Sequence, residues 1–227
     1  AWALHEQVAR CRAVFARCDV FLHTWQRRDS ASGAAAAPSW SCVGNLLHWL
    51  SPAAVAVQRQ ELGMLNTTRP WRTSRLSYEG YRLNVAAMVA AAELMLQHAA
   101  QNRISYAVAL RLRVDIGNAR IQRLVNGTLS AKAWHAIREA ATSPPAVREL
   151  RSCSRVKRPG AAAADNCFWS APPGPLVDTL HALRDRFDML SETMTPKGCL
   201  HSAHPESLLR CATRIAGVVG MPLSESG

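Results

Sequence analysis

The chain predicts an α/β fold in which a mostly parallel or mixed sheet is flanked by helices. Three observations point there. Residues 106–116, Tyr-Ala-Val-Ala-Leu-Arg-Leu-Arg-Val-Asp-Ile, alternate apolar and polar with the period of a strand. Tyr78, Tyr81, Val85, Met88, Ala92 and Met95 recur at steps of three and four, the apolar stripe of a long helix. Helix-type and strand-type segments alternate up to this point, as they do in βα units.

Each element has its own justification. Leu4, Val8, Cys11 and Phe15 have helical spacing, which predicts an amphipathic helix within residues 1–19. Asp19–Trp25 is a short apolar strand. Residues 29–39 are rich in Ser, Gly and Ala and read as a loop. Asn45–Leu50 is a short helix stopped near Pro52, and Ala54–Gln58 is a second strand. Thr67–Ser77, with Pro70 and three arginines, reads as a loop. Ser77 can cap the long helix, which is expected to run from Tyr78 to about Gln101. Ser130 can cap a helix through Ala140, ended by Ser143-Pro144-Pro145. Residues 148–164, basic and then Gly/Ala-rich, read as an exposed loop. Cys167–Ser170 is a short strand. Pro173-Gly174-Pro175 opens a helix whose buried face is Leu176, Leu180, Leu183 and Phe187. A last helix is expected from Pro205-Glu206 to Val219, with Gly220 as its stop signal.

Composition narrows the function classes. The 227 residues fit one α/β domain or two small ones, and 48% hydrophobic content excludes wholesale disorder. The longest apolar run, around Val85–Leu96, is interrupted by Glu93, so no membrane span is expected. The net charge is +11, and 24 of the 27 basic residues are Arg, scattered over the whole length. A nucleic-acid-binding protein would gather them with aromatics on one face, and no zinc-finger, RNA-recognition or helix-turn-helix signature occurs. The seven cysteines include no Cys-x-x-Cys pair, which disfavours a structural zinc site. Free thiols and one or two disulfides fit equally well. Asn66-Thr67-Thr68 and Asn126-Gly127-Thr128 are glycosylation acceptors if the chain enters the secretory lumen. There is no Gly-x-Ser-x-Gly elbow, no phosphate-binding Gly-x-x-x-x-Gly-Lys loop and no Gly-x-Gly-x-x-Gly.

Chemistry concentrates at the end of the 106–116 strand. Arg111, Arg113 and Asp115 share one face, and buried charge is costly unless paired or bound to a ligand. Ligands of open α/β sheets sit beyond the carboxyl ends of strands. These residues are therefore a candidate anion or metal site. An Arg–Asp ion pair on an edge strand is the plainer account of the same residues.

Four segments in order resemble one family: Asp19-Val-Phe-Leu-His-Thr-Trp25, Ala109-Leu-Arg-Leu-Arg-Val-Asp115, Asp165-Asn-Cys-Phe-Trp-Ser170 and His204-Pro-Glu-Ser-Leu-Leu209. Together they resemble glycosyltransferases of surface-polysaccharide synthesis, including the WavE-like lipopolysaccharide-synthesis type, over roughly residues 10–215. The resemblance implies a GT-A-like, Rossmann-related α/β domain spanning 1–220, with 221–227 as a tail. It implies transfer of a sugar from a nucleotide-sugar donor to a glycan or glycoprotein acceptor, in the Golgi or another secretory lumen, or at a bacterial cell envelope. It also implies a chain that starts inside the first helix and lacks the first strand. Membrane association would then come only through a segment absent from this sequence.

On this resemblance Asp115 would hold a divalent cation, Mn²⁺ or Mg²⁺, against the donor diphosphate. Arg111 and Arg113 would pair the diphosphate or orient Asp115; for Arg111 a structural ion pair stands beside that role. Asp165 would act as general base or, with Asn166, hold acceptor hydroxyls; a capping Asp explains it as well. His204 would complete the metal shell, where a solvated residue at a helix start is the alternative. His23 and Trp25 end the first strand, and Trp25 would stack on the donor base or sugar unless it only packs. The usual Asp-x-Asp metal motif is absent, and Val114 stands where the family pattern often has Pro. Two other readings compete: a non-catalytic or truncated relative with a binding role, and a basic nucleic-acid-binding protein.

Overall fold

A computed structural model describes residues 2–26, 44, 47–59, 78–112, 131–142, 149–152, 168–185 and 211–222. The chain is a mixture of helices and strands, compatible with the α/β class. It forms two compact units. One comprises Asp19–Trp71 and Arg75–Ile104; the other comprises Ala1–Cys18, Arg72–Ser74 and Ser105–Gly227.

The smaller unit is built on two parallel strands, β1 (Phe21–Gln26) and β2 (Ala54–Arg59), in the register Phe21↔Ala54 to Gln26↔Arg59. The Ala53 N–H donates to the Val20 carbonyl at 2.8 Å and continues the pairing below the ladder. Alternation along β2 is plain: Ala54 and Ala56 are half-buried, whereas Val55 and Val57 are 38% and 49% exposed. The long helix α2 (Tyr78–Asn102) packs on both strands. Its buried stripe is Val85, Met88, Val89, Ala92 and Met95, as the three-and-four spacing predicts. Residues 82–102 are also long and apolar enough to cross a bilayer by length and composition, with mean hydropathy 1.2, despite Glu93. Of that apolar span 28% is buried in the unit, the part that forms the stripe on the sheet.

The end of α2 follows from its hydrogen bonds. The Ile104 N–H reaches back to the Ala99 carbonyl at 2.9 Å, and the Arg103 N–H reaches the Ala100 carbonyl at 3.4 Å. This is the Schellman pattern, and Arg103 takes the left-handed position at φ 53°, where Gly is the usual occupant. The helical turn at 47–50 also ends on a left-handed residue, Ser51 (φ 43°), just before Pro52.

The larger unit holds a four-stranded mixed sheet, in the order β3-β5-β4-β6, among the described residues. The strands are β3 (Ala109–Leu112), β4 (Glu149–Ser152), β5 (Phe168–Ala171) and β6 (Val219–Pro222). β5 runs antiparallel to both β3 and β4, and β6 runs parallel to β4. Helix α1 (Trp2–Val14) packs against α3 (Ala131–Thr142). Between them Cys11, Ala133, Trp134 and Ile137 form a buried cluster, against which Val14, Phe15, Cys18, Val108 and Leu110 pack. Val108 and Leu110 therefore face this core, as their period-2 spacing predicts. Helix α4 (Pro173–Asp185) packs on β5 and β4 through Leu176, Val177, Thr179, Leu180 and Leu183. Its first turn carries two prolines, which forgo N–H groups that would have no helical partner there. Cys11 and Cys18 are joined in a disulfide across a sequence separation of seven, with Cα atoms 6.0 Å apart. Cys211 is disulfide-bonded too.

Three expectations need correction. The strand expected over 106–116 begins only at Ala109, and its part beyond Leu112 lies outside the described residues. Residues 149–152, expected within a loop, form β4, which is flanked by pairing on both edges. Glu-Leu-Arg-Ser carries weak strand propensity, and the backbone ladders on either side override it. The last helix ends at residue 215 and does not reach Val219. Gly217, at φ 64°, is its true stop: the Gly217 N–H reaches Arg214 at 3.1 Å and the Val218 N–H reaches Thr213 at 2.8 Å. The chain released there goes directly into β6, in which Gly220 is a strand residue.

Candidate functional site

β1 takes up the Phe-Leu-His-Thr-Trp part of the segment Asp-Val-Phe-Leu-His-Thr-Trp, and Phe21 and His23 share its face toward α2. Phe21 there meets His98 edge-on, with ring centroids 5.5 Å apart. His23 shares that face with Gln58, one register step along β2. Its Nε2 lies 2.9 Å from the Gln58 Oε1, which accepts the ring proton. This bond fixes the imidazole plane at the middle of β1, beneath the helix. Trp25 lies one pleat further and pairs with Gln58 through the backbone register.

A second polar group closes the other end of the strand. Asp19 Oδ2 lies 3.9 Å from His98 Nε2, and both side chains are mostly buried. The Asn102 side-chain amide lies 3.3 Å from His98 Nδ1 and donates to the His98 carbonyl at 2.9 Å. At 3.9 Å the Asp19 carboxylate is within ion-pair distance of Nε2 but beyond hydrogen-bond distance. The sequence reading missed this group. The signal was present: His98 and Asn102 continue the stripe of Met88, Ala92 and Met95 at steps of three and four, so polar residues end an otherwise apolar face.

Arg111 is placed on β3 opposite Trp169, half-buried, two residues beyond the buried Ala109. His23 and Arg111 belong to different units. Arg113, Asp115, Asp165, Asn166 and His204 lie outside the described residues. Among the described residues no group of three or more His, Cys, Asp or Glu converges as a metal site would require. What remains is a His–Gln pair across two parallel strands, with His23 half-buried and Gln58 exposed, and a His–Asp–Asn group at its foot. Both can hold hydroxyl groups by directed hydrogen bonds, and neither is a nucleophile with its base. Compared with protein-family models, curated proteins and solved structures, the chain matches none.

Proposed function

We propose that the protein is a glycosyltransferase that moves a sugar from a nucleotide-sugar donor to a glycan or glycoprotein acceptor. The observation that carries the reading is β1: the Asp-Val-Phe-Leu-His-Thr-Trp segment forms a strand paired in parallel with β2 under a long helix, the local arrangement a Rossmann-related donor site needs. In this reading the acceptor oxygen attacks the anomeric carbon and its proton passes to Asp165. The bond from that carbon to the diphosphate breaks, and Arg111 and Arg113 offset the charge on the leaving group. Asp115 and His204 would hold a Mn²⁺ or Mg²⁺ ion, which would supply further neutralisation of the diphosphate. The Cys11–Cys18 disulfide supports an oxidising setting such as a secretory lumen or cell envelope.

The test is a thermal-shift titration with a panel of nucleoside diphosphates and nucleotide sugars, with and without Mn²⁺, on wild type and Asp115→Ala. A shift for one donor, dependent on Mn²⁺ and lost in the variant, is the expected result. No shift with any donor, from protein shown to be folded, would overturn the reading.

A further inference from the structure

We propose that the Cys11–Cys18 bond is a reversible thiol–disulfide exchange site, a latch on the packing of α1 against α3 that a dithiol oxidoreductase of the same compartment opens. Three observations carry this. The two sulfurs have unequal surroundings: Cys11 is buried in the cluster with Ala133, Trp134 and Ile137, whereas Cys18 is half-buried at its margin. Both cysteines pack at this cluster, and Cys18 is the less buried half of the bond. The bond also closes a very short loop, so it restricts the unfolded chain less than a long-range crosslink would. Within that loop lies Phe15, whose N–H bonds the Cys11 carbonyl at 2.9 Å and whose ring meets Trp134 edge-on at 6.5 Å. Opening the loop frees the turn that holds this ring pair. A reduced Cys11 is tolerated where it stands, because a buried thiol behaves as a small apolar group. Reduction thus loosens one contact and leaves the core able to persist.

The step balances without a further reagent. A thiolate of the dithiol attacks Cys18 Sγ, the Sγ–Sγ bond breaks, and Cys11 leaves as a thiolate that takes up a proton. The second thiol of the reductant then displaces Cys18, which is protonated in turn, and the dithiol departs as its own disulfide.

The experiment treats the full chain with dithiothreitol under native conditions and maps thiols by differential alkylation and mass spectrometry. Near- and far-ultraviolet circular dichroism are recorded in parallel. Cys11 and Cys18 are expected to become alkylated while the far-ultraviolet signal holds, and the aromatic near-ultraviolet signal is expected to fall and return on reoxidation. The double variant C11S/C18S is expected to show the reduced-state aromatic signal permanently. Any response it retains to dithiothreitol comes from the remaining cysteines, the disulfide-bonded Cys211 among them, and is subtracted. A pair that stays oxidised until the whole chain unfolds, or a reduced pair with an unchanged aromatic signal, overturns the proposal. A double variant that does not fold also overturns it, since the bond is then a fixed staple.

Discussion

At the scale of single residues, Gln7 is the position where the chain works against itself. It is fully buried in α1, and neither its side-chain oxygen nor its nitrogen has a hydrogen-bond partner. Burying an amide without partners costs on the order of 1–3 kcal/mol, and an apolar side chain of like shape avoids that cost. Gln7→Met is therefore expected to raise the unfolding free energy by roughly 1–2 kcal/mol, read as a higher urea midpoint at unchanged slope. A midpoint that falls would mean that the amide is satisfied in solution. The same scale shows what a sequence cannot display. His23 and Trp25 were recognisable as the end of a strand, but Gln58, which orients His23, is 35 residues away, and only the parallel register brings the two together. Asp19, His98 and Asn102 were invisible as a group for the same reason, although His98 and Asn102 sit on a legible stripe.

At the scale of elements, helix ends decide where strands begin. Arg103 and Gly217 occupy the same left-handed position after α2 and after the helical segment at 211–215. An ordinary side chain there costs on the order of 1 kcal/mol relative to Gly. Nothing lies within 4 Å of a Cβ built on Gly217, so the backbone angle alone sets its cost. Gly217→Ala is expected to destabilise by about 1 kcal/mol, and Arg103→Gly to stabilise by up to about 1 kcal/mol. Paired thermal melts of the two variants check both signs. Helices with strong apolar stripes were legible: α2 lies within about two residues of expectation, and α4 starts at the expected Pro173, Phe187 of its expected face lying outside the described residues. β4 was not legible, because its residues carry no alternating apolar signal and are held by neighbours from later in the chain. The last helix was overextended because Gly220 was taken for the stop that Gly217 provides.

At the scale of the whole molecule, the mixture of helix and strand was legible from their alternation, and the pairing of the described strands into two sheets was not. Strand pairing across long stretches leaves no mark in local periodicity. The position of β4 has a consequence for how the chain acquires its structure. One of its neighbours is β6, and Glu149 pairs with Val219 about 70 residues further along the chain. Closing so large a loop is entropically costly until the contacts it permits are made, so this pairing belongs to the late, slow part of folding. Until it forms, β4 presents an open edge to any other chain. A polypeptide ended at residue 216 is expected to scatter light at concentrations where the 227-residue chain stays monodisperse. During synthesis the same edge waits for the ribosome to deliver residues 219–222, and that interval is when a chaperone has most to do.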